Sequence, residues 1–83
     1  MISYEWTSYA EGRLRKLPAP IQRQIIMKLE WYLATPDPLH FAEPLVGREG
    51  RAYRFRVTDY RVIFEVMKGK ILITDVGRRD RIY

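Results

Sequence analysis

The chain reads as an α+β domain with an N-terminal strand and an αα-hairpin packed on an antiparallel sheet, in the order β-α-α-β-β-β and with no long C-terminal helix. Three observations carry that expectation. Apolar residues recur at helical spacing between residues 8 and 34, two prolines at 18 and 20 cut that stretch in two, and from Tyr53 onward the period drops to two. A length of 83 residues with 47% hydrophobic content makes a single domain, residues 1–83.

The elements follow in order. Ile2 to Trp6 alternates weakly, as a short strand does. Ser8 followed by Glu11 has the pattern of a capping box, and Ala10, Leu14 and Leu17 then line one helical face. Pro18-Ala19-Pro20 ends this helix and opens the next, because proline fits only a helix's first turn. Ile21, Ile25, Leu29 and Tyr32 or Leu33 form the apolar stripe of the second helix, which Thr35-Pro36-Asp37-Pro38 stops. Residues 35–50, with three prolines and two glycines, read as a loop. Tyr53, Phe55 and Val57 then alternate with Arg54 and Arg56, Thr58-Asp59 makes a two-residue turn, and Tyr60 to Met67 runs back as the partner strand. Lys68-Gly69 is a second turn signal before a third strand, Ile71 to Val76.

Composition narrows the function. There is no cysteine, hence no disulfide, thiolate metal site or cysteine nucleophile, which suits a reducing, cytoplasmic setting. No apolar run approaches the roughly 18 residues of a membrane span, and MISYEWTSY lacks the basic flank and apolar stretch of a signal peptide. Secreted disulfide scaffolds, membrane proteins and multidomain enzymes are thereby set aside. The net charge of +5 is unevenly placed. Acids and bases cancel up to residue 47, so the whole excess lies in residues 48–83, where eight arginines and two lysines face five acids. Arginine's planar fork suits bidentate phosphate binding, so a polyanion, nucleic acid first, is the expected partner.

The turn at Thr58-Asp59 places Phe55 opposite Val62 and Tyr53 opposite Phe64 on the helix-covered side. Arg56 then faces Arg61 on the other side, with Arg54 one pleat away. Like charges opposed across a sheet are unfavourable. Either an anion neutralises the cluster, or long solvated side chains splay apart, relieved by Glu65 or Asp75. For the third strand, a two-residue turn would put Asp75 on the covered face. A three-residue loop would put Leu72, Thr74 and Val76 inward and Asp75 outward near Arg61, and is the preferred register. Both deliver Gly77-Arg78-Arg79-Asp80-Arg81-Ile82-Tyr83 beside the first arginines. His40 reads as structural or exposed. Met27 and Met67 read as packing residues, and Trp6 and Trp31 as closing the sheet–helix interface. Neither a metal site nor a cofactor motif is present in the sequence.

The run Leu45-Val46-Gly47, then Tyr53-Arg54-Phe55-Arg56-Val57-Thr58-Asp59-Tyr60-Arg61-Val62-Ile63-Phe64-Glu65-Val66, and the close Asp75-Val76-Gly77-Arg78-Arg79-Asp80-Arg81-Ile82-Tyr83 resemble the RelE/ParE toxin superfamily. Its signatures are a "YRIRVGDYRVIYEV" hairpin and a "VGHRKDVY" ending. The resemblance implies a microbial-RNase-like fold and a bacterial or archaeal toxin of a type II toxin–antitoxin pair. Its implied partners are a cognate antitoxin and mRNA on the ribosome with rRNA contacts; DNA is reached only indirectly, through the antitoxin complex. RelE-type members cleave mRNA in the ribosomal A site with basic residues on the sheet face and a C-terminal tyrosine. By position these fall on Arg54, Arg56, Arg61, Arg79 and Tyr83, with Arg48, Arg51, Arg78 and Arg81 as RNA-docking residues.

Two departures stand out. Lysine is frequent in the family where this chain has Arg54 and Arg56, and arginine cannot serve as a base at any useful pH. The chain also ends at Tyr83, without the further helix some members carry. The implied reaction is metal-independent attack of the RNA's own 2′-OH on the adjacent phosphate, with Tyr83 accepting the proton or stacking on a base. The alternative within the superfamily is a ParE-like inhibitor of DNA gyrase that cuts no RNA.

Overall fold

The computed structural model describes residues 3–45 and 52–81. The elements are β1 (Ser3–Trp6), α1 (Ser8–Arg15), α2 (Ala19–Ala34), a 3-10 turn (Pro38–Phe41), β2 (Glu43–Pro44), β3 (Ala52–Val57), β4 (Tyr60–Met67) and β5 (Lys70–Arg78). The strands form one sheet in the order β1-β5-β4-β3-β2, with β1 parallel to β5 and the other neighbours antiparallel. This is the expected α+β architecture, and among the described residues no helix follows β5.

Thr7, not Ser8, caps α1: its Oγ1 accepts the Ala10 N–H at 3.1 Å, and Glu11 pairs instead with Arg15 one turn on. Pro20 sits in the first turn of α2 as expected, and the Gln22 side chain donates to the carbonyls of Leu17 and Arg15 at 2.8 and 3.3 Å, closing the end of α1. Ile25, Leu29, Tyr32 and Leu33 are buried. They meet Phe55, Val62, Phe64, Ile71, Ile73 and Val76 from the sheet, and these side chains are the core. A stack of rings runs through it, with Tyr32 on Phe55 and Phe55 on Phe64, both at 4.5 Å between centroids.

Three expectations are corrected here. The region from Thr35 is no plain loop, since it contains the 3-10 turn and β2, a two-residue strand too short to show a period. The β4–β5 turn is the two-residue Lys68-Gly69 with Met67 opposite Lys70, so Ile71 and Ile73 point inward instead of Leu72 and Thr74. A bulge at the Ile63/Phe64 level then shifts the register by one and returns Val76 to the core. Asp75 therefore escapes the core, but it pairs with Arg13 of α1 at 3.4 Å and not with Arg61. Finally, Trp31, Met27 and Met67 are exposed on the surface, whereas Trp6 does pack against the core. Trp31 packs edge-on against Tyr32 and Phe41, and Lys28 lies over it with Nζ 4.4 Å from the ring centroid. Among the described residues no helix is long and apolar enough to cross a membrane.

Candidate functional site on the helix-free sheet face

The β3–β4 register is the one the turn dictates: Phe55 faces Val62, Tyr53 faces Phe64, and Arg56 faces Arg61. Alternation sends Tyr53, Phe55 and Val57 to the core, so Arg54 and Arg56 stand on the opposite face. Thr58 enters the turn with φ of 52°, a left-handed conformation that a β-branched residue rarely adopts. Arg61 holds that turn. It is 6% exposed, and its Nη1 donates to the Thr58 and Tyr60 carbonyls at 3.1 and 2.9 Å. The opposed arginines thus part, Arg61 folding over the turn and Arg56 remaining exposed.

Relief of their repulsion comes from Glu43 of β2, rather than from Glu65 or Asp75. Glu43 pairs directly with Arg54 in the sheet. Arg54 grips it with a fork, Nε to Oε1 at 3.3 Å and Nη2 to Oε2 at 3.4 Å, and Arg56 Nε lies 4.0 Å from Oε1. The hydrogen bond from Arg54 holds the Glu43 carboxyl below the usual carboxylate range; burial opposes it, and the charges of Arg54, Arg56 and Arg61 add to the lowering. Two guanidinium groups of β3 therefore share one carboxylate supplied by β2, and the Arg61 charge on β4 is close enough to act on it. Sequence reasoning missed Glu43 because its only local signal is a glutamate before a proline in a region without period; the ladder to Arg54 is what makes it part of the site.

The other predicted residues are dispersed. The Arg79 backbone N–H donates to the Asp59 carbonyl at 2.9 Å, which fixes it at the turn end of the hairpin, and its side chain is exposed. Arg78 is ion-paired with Asp80 at 3.4 Å, and Arg81 is exposed. Arg48, Arg51 and Tyr83 lie outside the described residues. His40 is exposed, edge-on to Phe41.

Behind the site, Tyr32 links the helical layer to the arginine strand. Its ring stacks on Phe55 while its hydroxyl donates to the Arg56 carbonyl at 2.8 Å. Burial pushes the Tyr32 hydroxyl above its ordinary pKa, with the Arg56 charge opposing, so it stays a donor at neutral pH.

The fold and the basic hairpin define a class, the RelE/ParE type of toxin domain. The chain belongs to the ParE toxin family: the family model described as "ParE toxin of type II toxin-antitoxin system, parDE" matches residues 4–83. Solved structures agree on the fold. A RelBE toxin–antitoxin complex from Mycobacterium tuberculosis superposes with a TM-score of 0.77 at 21% identity, covering 94% of this chain and 91% of that one. The isolated RelE toxin of Escherichia coli gives 0.76 at 22% identity, with 98% and 87% covered. The RelE–RelB complex of Pyrococcus horikoshii gives 0.73 at 26% identity, with 96% and 97% covered. No curated protein matches the chain.

Proposed function

We propose that this toxin is a ribosome-dependent mRNA endoribonuclease that stops translation in the cytoplasm. The observation that carries the reading is the pairing of Arg54 and Arg56 with a single carboxylate, with Arg61 opposite Arg56 in the sheet, because two guanidinium groups that hold a carboxylate can receive a phosphodiester. In the reaction the RNA 2′-OH attacks its own 3′-phosphate, leaving a 2′,3′-cyclic phosphate and a 5′-OH. Arginines stabilise the charge that gathers on the phosphorane but cannot remove the proton. Glu43 can. Held ionised beside the guanidinium groups, it accepts the 2′-OH proton once the incoming phosphate takes over Arg54 and Arg56. Arg61, fixed over its turn by two carbonyls, contributes a charge that needs no reorganisation. Arg79 grips a non-bridging oxygen, and Tyr83 stacks on a base or shares the proton transfer. Arg48, Arg51, Arg78 and Arg81 dock the RNA backbone.

A cognate antitoxin is the proposed protein partner, as RelB is for RelE in the M. tuberculosis and P. horikoshii complexes. DNA is reached only through that complex. Two observations favour a second reading, a gyrase inhibitor without nuclease activity: the matching family is named for ParE, and Glu43 already neutralises part of the arginine cluster.

Mapping mRNA ends after incubation with and without ribosomes, beside a gyrase supercoiling assay, separates the two. Ribosome-dependent cut ends bearing cyclic phosphate support the nuclease. Loss of supercoiling with mRNA intact transfers the assignment to gyrase.

A further inference from the structure

A second basic region lies around the corner from the arginine cluster. Between the C-terminal end of α1 and the end of β5 is a cleft of about 300 Å³, lined by Arg13, Lys16, Leu17, Val76, Gly77, Arg78 and Arg81. Leu17 and Val76 pack on the core and give the cleft an apolar floor. Four cations surround that floor, against two carboxylates, Asp75 and Asp80, paired with Arg13 and Arg78. Lys16 and Arg81 are exposed and form no ion pair among the described residues.

We propose that this cleft is a second phosphate subsite, holding the RNA backbone next to the diester gripped by Arg54, Arg56 and Arg61; the inference rests on the nuclease reading and extends it. Arg13 is built for the role. Its Nε donates to the Val76 carbonyl at 3.2 Å and its Nη1 to the Tyr9 hydroxyl at 3.3 Å, which aims the guanidinium while leaving Nη2 without a partner among the described residues. The carbonyls at the end of α1 would repel an anion. One of them, that of Arg15, instead accepts a hydrogen bond from Gln22, as does the Leu17 carbonyl just beyond the helix. Position supplies the link to the chemistry. Gly77 of the cleft is the direct partner of Arg61 in the sheet, so the strand that borders the cleft is the immediate neighbour of the strand that carries Arg61, ~4.8 Å away between backbones, with the cleft on the helix-covered side. A strand of RNA leaving the cluster across β4 and rounding the end of β5 arrives at Arg78 and Arg81, with Lys16 and Arg13 on the far wall. The apolar floor suits a ribose or base edge beneath the phosphate.

The test compares the wild-type chain, a Lys16→Gln/Arg81→Gln variant and an Arg23→Gln/Lys68→Gln control with the same reduction of net charge. Binding of a short single-stranded 2′-O-methyl RNA, which lacks the attacking hydroxyl, is measured against salt. Removing one phosphate-neutralising cation lowers the slope of log K against log salt by ~0.7, so the cleft variant is expected to fall by about 1.4 and the control by far less. An unchanged slope in the cleft variant overturns the subsite. Wild-type mRNA cleavage, scored in parallel, keeps the two ideas apart. Cut ends with an unchanged slope remove the cleft alone, whereas a lowered slope with no cut ends removes the nuclease and leaves a polyanion site. If the cleft variant keeps its slope but loses its grip on the antitoxin, an acidic protein segment is the occupant, and the RNA proposal is wrong.

Discussion

The two basic regions are built differently. On the helix-free face, Arg54 and Arg56 share one carboxylate and Arg61 is buried against its own turn, all in fixed register on adjoining strands. At the α1–β5 cleft, two of the four cations are exposed and carry no counter-ion among the described residues. Preorganised charge with a resident base suits a reaction at one atom, because nothing need be rearranged as charge develops. Loose, unneutralised charge suits grip on a polyanion, where counter-ion release supplies the affinity. The first region should therefore govern kcat and the second KM.

The largest effect expected is from Arg54→Ala/Arg56→Ala. Removing donors aimed at developing charge costs ~10²–10³-fold in kcat each, so ribosome-bound mRNA cleavage should fall by about 10³-fold or more while circular dichroism shows the fold intact. Lys16→Gln/Arg81→Gln should instead raise KM and spare kcat. Equal effects of the two variants on both constants would erase the distinction between the regions.

Glu43→Gln comes next. As proton acceptor, its removal should lower kcat by ~10²-fold or more, yet RNA should bind more tightly because Arg54 and Arg56 are released. Faster cleavage by this variant would make Glu43 a plug on the site. The pH dependence sharpens the point. With the Glu43 carboxyl of the free protein held below the usual glutamate value of ~4.3, the base is ionised across pH 5–8 and kcat/KM should be flat there. A tyrosine base would give a rate rising ~10-fold per pH unit over the same range. The sign for stability is the same: a lowered carboxyl pKa stabilises the fold fully above the unfolded value, and that stabilisation is lost as pH falls through the folded one.

The contrast between the regions also explains what the sequence could reveal. Arg54, Arg56 and Arg61 were legible because a two-residue turn and a period of two fix which residues face each other, with no knowledge of the rest of the chain. The helical stripes were legible for the same local reason. Glu43 was not: it joins the site through a two-residue strand whose pairing is long-range and whose composition resembles loop. The β5 register departs from expectation at the two-residue turn and is restored by a bulge, where one extra residue shifts the alternation and no sequence period marks it. No sequence pattern marks Arg13 and Lys16, since their approach to Arg78 depends on where the helix docks. Local periodicity reveals faces, whereas tertiary placement decides which faces meet.

A smaller effect is expected from Tyr32→Phe. The ring stack on Phe55 survives, and only the bond to the Arg56 carbonyl disappears, at a cost of ~1 kcal/mol. In a domain of this size that lowers Tm by about 4–8 °C. If the arginine strand owes its position to this link, kcat should fall as well while the salt slope of RNA binding holds. A drop in Tm alone would confine Tyr32 to stability.

The smallest effect, and the one that probes preorganisation most directly, is expected from Thr58→Gly. A β-branched residue at φ of 52° carries backbone strain on the order of 1 kcal/mol, which glycine relieves. Against this, glycine adds freedom to the unfolded chain and removes the 2.6 Å approach of the Thr58 hydroxyl to the Val57 carbonyl. The net change in stability should therefore stay within about 1 kcal/mol by denaturant titration. The carbonyl that receives Arg61 remains in the glycine variant, but the turn carrying it can now move. Lower kcat without reduced stability would show that the strained turn aims Arg61. Unchanged kcat would mean that the Tyr60 carbonyl and burial hold the guanidinium on their own, and that rigidity in the first region resides in the strands rather than in the turn.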